Sequence, residues 1–286
     1  MEPLDDLDLG SAPPPPLRDD APRDNWIPIG IAAAVLVVIA VIIAVIYFRR
    51  PAEEPKKAVE APAPVAATQP RAGLGPAVDP IDLPPLLLTD PLVRDLVGKL
   101  SSRPELAAWL ATDGLIRNVV VCVENVAEGE TPVKHLRVLT PKGGFSAERK
   151  GAAFVVDPKA FVRYDGHAAT VASLDPAGLA RVYSLLKPRL VDAYKELGHP
   201  EGDIDAAVEK AIVILLQTPV TDGTETLVPK VLSYRYENAQ LEALVPVQKQ
   251  MLRMGPANVA TVQHQLRAIA RELGIPSDRL PAQPGT

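Results

Sequence analysis

The chain has little of what most catalytic, metal-binding and nucleic-acid-binding sites require. It has one cysteine, Cys122, so it cannot form an intrachain disulfide. Its four histidines are scattered singly, without the paired spacing of a metal site. Aromatic residues make up 4% of the chain, too few for a stacking platform that reads bases or sugars. We therefore expect no metal and no other cofactor.

Most of the chain also lacks an excess of charge of either sign. The net charge is −5, and residues 1–25 alone hold seven acidic and two basic residues. The rest of the chain holds 28 acidic and 28 basic residues and is therefore neutral. Because a neutral domain lacks the basic footprint of nucleic-acid binding, we expect no nucleic-acid partner.

One long apolar run is present near the N-terminus. Residues 26–48 carry no charge over 23 positions. As a helix they span about 34 Å, enough to cross the hydrocarbon core of a bilayer. The preceding leader is acidic, and no small-residue cleavage site precedes Arg49, so a cleaved signal peptide does not fit. We predict a single transmembrane helix whose partner is the lipid bilayer.

Two observations bear on the side of the membrane that the rest of the chain occupies. Four basic residues follow the apolar run closely and two precede it, which by the positive-inside rule keeps the C-terminal part in the cytoplasm. Residues 49–89 are rich in proline and alanine and stay extended, which suits a domain held away from a membrane across an envelope space. The two arguments point in opposite directions, and we take the periplasmic side as the expectation.

The composition changes at residue 90, where amphipathic runs begin. We predict a disordered leader over residues 1–25, a linker over 49–89, a helical globular domain over 90–274 and a flexible tail over 275–286. The expected fold class is mainly α, with a small β element.

Helix starts in this domain are marked by Asp-Pro pairs at Asp90, Asp157 and Asp175, since Asp accepts hydrogen bonds from first-turn N–H groups and proline suits the first helical position.

Helical spacing predicts a helix over 115–128 with Val119, Cys122, Val123 and Val126 inward, although its β-branched residues leave a strand open as the alternative. Glycines predict a short hairpin around Lys150. Alternation predicts a single strand over 227–236.

One group of polar residues is a candidate site. It consists of four basic residues near two glycines, together with the polar residues of the stretch "VRYDGH". Such a group could bind an anionic ligand or a carboxylate of a partner. The alternative is a solvated loop beside a helix face, as most charged loops are. The members are Lys142, Arg149, Lys150, Arg163, Tyr164, Asp165 and His167.

Several segments resemble a bacterial domain-of-unknown-function family, the one numbered three-zero-one-four. The resemblance covers residues 83–272, and its most specific parts are "RYD", "AYKELGHP" and "QKQMLRMGP". It implies a membrane-tethered bacterial protein, hence an inner-membrane location, and brings no known activity, cofactor or catalytic residue.

Two functions fit these observations. The first is a membrane-anchored, non-enzymatic envelope or scaffold module that binds another protein, which agrees with the long linker and the lack of a catalytic motif. The alternative is a membrane-tethered hydrolase whose site includes Arg163, Asp165 and His167. A structure discriminates between them, because an enzyme requires a pocket with perturbed ionisable groups.

Overall fold

The computed structural model describes residues 73–132, 140–231 and 233–282. The predicted leader, the predicted transmembrane helix and the linker up to residue 72 lie outside these ranges. Within them, no single helix has both the length and the apolar character needed to cross a bilayer. One bent pair, Pro104–Leu110 with Leu115–Ala127 at 98°, meets the requirement on length and composition alone.

The described residues are mainly helical with a small antiparallel sheet, which confirms that part of the predicted fold class. Short 3-10 helices lie at Leu86–Leu88 and Ser277–Arg279. The α-helices are α1 (Asp90–Gly98), α2 (Pro104–Leu110), α3 (Leu115–Ala127), α4 (Lys159–Val162), α5 (Asp165–Ala172), α6 (Pro176–Glu196), α7 (Ile204–Leu216), α8 (Ala239–Glu242), α9 (Pro246–Leu252) and α10 (Pro256–Glu272).

The three Asp-Pro pairs all lie at helix starts, but their carboxylates act differently. Asp175 accepts hydrogen bonds from the N–H groups of Ala177 and Gly178 and caps α6 as predicted. Asp157 accepts from the N–H of Lys159 at 2.9 Å. Asp90 instead accepts from the N–H groups of Gly114 and Leu115, at 2.7 and 2.9 Å, and so caps α3 rather than its own helix.

Helix α3 forms at the predicted place, but its buried face differs from the prediction. Ile116 and Val120 are buried, whereas Val119 is 50% exposed. The stretch "VVVCVENV" is apolar at neighbouring positions, so its spacing does not decide between two faces that are about 100° apart. The packing of α3 against α6 and α7 determines which of the two faces is buried.

The sheet is a four-stranded antiparallel meander in the order β1 (Ala147–Lys150), β2 (Ala153–Val156), β3 (Thr226–Pro229) and β4 (Tyr234–Tyr236). The predicted hairpin around Lys150 is confirmed, since Lys150 pairs with Ala153 across the turn. The single strand predicted over 227–236 is wrong, because this stretch folds back on itself and pairs Leu227 with Tyr236.

The core consists of three apolar clusters. One lies between α1, α3, α6 and α7, and includes Ile116, Val120 and Leu186. A second joins the C-terminal halves of α7 and α10. The third lies under the sheet and packs Val156, Leu227 and Tyr236 against α4, α8 and α9. Helix α6, which has 21 residues, contributes to the first two.

The folded domain extends beyond both predicted boundaries. Residues 73–75, which we name the clamped segment, are held by the helices although their composition assigns them to the linker. The N–H of Leu74 donates to Asp205 at 2.9 Å, its carbonyl accepts from Lys187 at 3.1 Å, and the N–H of Gly75 donates to the carbonyl of Leu273 at 2.9 Å.

The start of the predicted flexible tail is held in the same way. Ile275 is 4% exposed, and the Arg267 guanidinium donates to the carbonyls of Pro281 and Ala282. Short apolar residues among prolines and glycines give no periodic signal at either boundary, and only the tertiary structure shows that they are buried.

Candidate functional site

A cleft of about 890 Å³ lies between the sheet and α9. Its walls are formed by the residues before β1, by strands β3 and β4, by the α4–α5 junction and by α9. We name it the sheet cleft. It is lined by Pro132, Thr140, Pro141, Gly143, Phe145, Arg163, Tyr164, His167, Leu227, Pro229, Lys230, Val231, Ser233, Tyr234, Tyr236, Glu242, Lys249, Gln250, Arg253 and Met254.

Arg163 is fixed in this wall by the backbone around it. Its Nε donates to the carbonyl of Ala160 at 2.9 Å and its Nη1 to the carbonyl of Gly143 at 3.1 Å. The guanidinium carbon lies 4.8 Å from the centre of the Tyr164 ring, a cation–π distance. The side chain is therefore held in one orientation, with the positive charge that a guanidinium carries at any physiological pH.

A short hydrogen-bond chain connects the α4–α5 junction to α9. The Gln250 Nε2 donates to the Tyr164 hydroxyl oxygen at 2.8 Å, and Arg253 Nη1 donates to Gln250 Oε1 at 3.2 Å. Gln250 thus holds Tyr164 and Arg253 in a defined arrangement. Both arginines, Arg163 and Arg253, line the sheet cleft.

Aromatic rings also line the sheet cleft, namely those of Phe145, Tyr234 and Tyr236, with Phe154 packed beside them. The Tyr234 ring lies 5.9 Å from the rings of both Phe145 and Phe154. Tyr236 is buried, and this burial raises the pKa of its hydroxyl to about 12, so it stays protonated and neutral across the physiological range. These rings offer apolar area, and Glu242 is the one carboxylate among the described residues that line the cleft.

The charged groups lining the sheet cleft are predominantly basic. Lys230 and Lys249 face Glu242, with N–O distances of 3.7 and 3.9 Å. Lys249 also donates to the carbonyl of Glu242 at 3.0 Å. Among the carboxylates that the structure describes, none lies within ion-pair distance of Arg163 or Arg253. Two fixed guanidinium groups are therefore available to an anionic ligand.

The structure brings three of the seven predicted site residues into the cleft. Arg163, Tyr164 and His167 line it, and the His167 ring lies between those of Trp109 and Tyr164, at centroid distances of 5.8 and 6.1 Å.

The other four lie elsewhere. Lys142 and Lys150 are exposed outside the cleft lining, and Arg149 lies over the Phe154 ring on the outer strand of the sheet. Asp165 accepts a hydrogen bond from Asn258 on α10 at 2.9 Å. The predicted patch is therefore divided, and Asp165 is directed away from His167 toward α10.

The sequence did not indicate the residues that α9 and the β3–β4 hairpin contribute. They lie between 64 (Leu227) and 91 (Met254) positions after Arg163, and only the fold brings them near it. One signal could have indicated them, since the segment "QKQMLRMGP", singled out for its resemblance, contains Lys249, Gln250 and Arg253.

The described residues of the cleft include neither a metal-binding cluster nor a cysteine. In the described ranges, no group of three or more His, Cys, Asp or Glu side chains is placed to hold a metal ion. Cys122 lies outside the cleft, and burial raises its pKa to about 12, which makes it a poor nucleophile at neutral pH.

Comparison with known proteins agrees with the resemblance seen in the sequence. A family model described as a protein of unknown function, DUF3014, matches residues 115–270, which is more than half of the chain. The chain belongs to the DUF3014 family. No curated protein and no solved structure matches it.

The DUF3014 match contains the whole sheet cleft. Every lining residue falls between Pro132 and Met254, inside the matched range. Helices α1 and α2 and the clamped segment lie before this range, although they pack against the DUF3014 helices. The folded domain is thus larger than the matched segment at both ends.

Proposed function

We propose that this DUF3014 protein is a membrane-anchored, non-enzymatic module that binds an acidic segment of another protein in the sheet cleft. The observation that carries the proposal is the pair of fixed guanidinium groups, Arg163 and Arg253, in a cleft that aromatic rings also line. Neither guanidinium has a described carboxylate within ion-pair distance, since Glu242 pairs with the two lysines. Arginine and aromatic side chains dominate the energetics of protein interfaces.

Side chains, rather than the sheet edge, would recognise the partner. Strand β4 is an edge strand, but the Tyr236 N–H already donates to Glu242 Oε2 at 3.1 Å. Adding a partner strand there would break this bond. An acidic side chain held by bidentate arginine contacts needs no such change.

The anchor in this proposal is residues 26–48, with the domain on the periplasmic side of a bacterial inner membrane. The proposal is supported by the uncharged run of 23 residues and by the proline- and alanine-rich composition of the stretch that follows it. The bilayer and the acidic segment are then two separate partners of one chain.

The geometry does not favour the hydrolase alternative. A general base needs a hydrogen-bonded partner that orients it. Asp165 is bonded to Asn258 instead of His167, and the Tyr164 hydroxyl is bonded to Gln250. Arg163 and His167 line the cleft, whereas Asp165 does not.

Fluorescence anisotropy on the full chain tests the binding function. The probes are a labelled glutamate-rich peptide and the same peptide with glutamine in place of glutamate. We expect saturable binding of the glutamate peptide alone, with an affinity that falls as salt is raised. Arg253→Glu should weaken it by at least about tenfold, because the side chain then repels the ligand.

The matched control is Arg271→Glu, which makes the same charge change at an exposed position near the other end of α10. It should leave the affinity within about twofold, as expected for a charge farther away than the Debye length. Asp165→Ala should also leave binding unchanged. Equal binding of the two peptides, or an equal loss in Arg271→Glu, would show general charge attraction and overturn the proposal.

A further inference from the structure

A second cavity lies within the helical part of the domain, separate from the sheet cleft. It has a volume of about 280 Å³ and is bounded mainly by α3, α6, α7 and α10. None of its lining residues also lines the sheet cleft. We name it the helix cavity.

The wall of the helix cavity is entirely apolar. All its side chains are aliphatic except that of Tyr183, whose hydroxyl donates to Asp205. Asp205 in turn pairs with Lys187 and accepts from the N–H of Leu74. The one polar group of the wall is therefore engaged outside the cavity, which leaves no hydrogen-bond donor or acceptor for a polar ligand.

The cavity is large for a protein interior and reaches the surface. Close-packed cores contain few voids larger than a water molecule. An apolar void of about 150 Å³ stays free of water and binds benzene. Val119 contributes to the wall and is 50% exposed, so the cavity opens at α3. An opening of this kind allows an apolar ligand to enter without unfolding the domain.

We propose that the helix cavity binds the hydrocarbon chain of a fatty acid, with the carboxylate remaining in solvent at the Val119 opening. One turn of a helix fills roughly 420 Å³, more than this cavity holds. A single chain is the narrowest common biological hydrocarbon. Binding such a chain removes apolar area from water, which is favourable. A more polar ligand would lose its hydrogen bonds to water and find no partner on the apolar wall. The inference is independent of the peptide-binding function.

Photo-crosslinking in a bacterial host expressing the full chain tests this. The probe is a palmitic acid that carries a diazirine on its chain and a terminal alkyne. Mass spectrometry of the labelled protein should locate adducts on the peptide containing Val119 and Val123, and excess palmitic acid should suppress them. A second arm uses a phospholipid with the diazirine on one of its two chains, which should not label this peptide.

Val119→Glu places a carboxylate at the opening and should reduce this labelling by at least about tenfold, since a charge next to the chain must be desolvated. Its matched control is Val162→Glu, at another exposed helical valine that lines neither cavity; labelling should be unchanged. Circular dichroism confirms that both variants fold. Adducts confined to residues 26–48, equal labelling of Val119→Glu, or labelling by the phospholipid but not by palmitic acid would each overturn the proposal.

Discussion

Gly255 connects α9 to α10 and occupies a position that only glycine fits. Its φ is +82°, in the left-handed region. A Cβ atom at this position would lie 2.5 Å from the Phe161 ring. Because Gly255 follows Met254 of the sheet cleft directly, the close approach of this turn to Phe161 places α9 against the α4–α5 junction.

Gly255→Ala should therefore lower the free energy of unfolding by about 2 kcal/mol or more, through backbone strain and the clash with Phe161. Gly274→Ala is the matched control, since Gly274 has a φ of +79° but a Cβ added there would meet no atom within 4 Å. It should cost only the left-handed strain, about 1 kcal/mol. Urea unfolding of the full chain, followed by circular dichroism, measures both; equal losses would contradict the clash.

Asp90 shows how one carboxylate couples two helices. It lies in the first turn of α1, but its two oxygens accept the free N–H groups at the start of α3. The first N–H groups of α3 have no partner within the helix, so this contact replaces the local cap that Gly114 lacks. The α1–α3 packing thus depends on a polar contact as well as on apolar burial.

Removing this contact should destabilise the domain. Asp90→Ala should lower the free energy of unfolding by about 1–2 kcal/mol, the usual effect of losing a helix cap. Asp95→Ala on the same helix is the control; its exposed ion pair with Lys99 should contribute less than about 1 kcal/mol. Urea unfolding of the two variants gives the comparison, and equal values would mean that Asp90 acts only as a surface charge.

Local signals in the sequence predict elements well and predict the candidate site poorly. The Asp175 cap and the Lys150 hairpin depend on neighbouring residues, and both are confirmed. The buried face of α3 is predicted only in part, because apolar residues occupy adjacent positions. Val123 packs against the core as predicted, whereas Val119 is exposed. The cap formed by Asp90 spans 24 positions in sequence, so no local pattern could indicate it.

The candidate site is only partly predictable for the same reason. Arg163, Tyr164 and His167 can be identified because they are close in sequence. Their partners Gln250 and Arg253 reach them through the packing of α9 against the α4–α5 junction, with a separation of 86 residues between Tyr164 and Gln250. A local sequence pattern cannot predict a contact between residues so far apart in the chain.

At the scale of the whole molecule, the side of the membrane is the first property to measure. Alkaline phosphatase and green fluorescent protein, fused separately after Thr286 in a bacterial host, should give phosphatase activity without fluorescence. The physical reason is the proline- and alanine-rich composition of the linker, which suits an envelope space. A chain lacking residues 26–48 is the control and should fluoresce. Fluorescence of the complete chain without phosphatase activity would place the domain in the cytoplasm, as the basic residues after the run predict.

The position of the clamped segment has a mechanical consequence. It is fixed beside the C-terminal end of α10, through the contact of Gly75 with Leu273, whereas the sheet cleft ends at Met254, just before α10 begins. The 17 residues of α10 separate the two sites by about 25 Å. A pull on the chain before Gly73 therefore loads the Leu74 and Gly75 hydrogen bonds first. The domain can therefore bear tension at this end while the hydrogen bonds of Arg163, Gln250 and Arg253 at the other end carry no load.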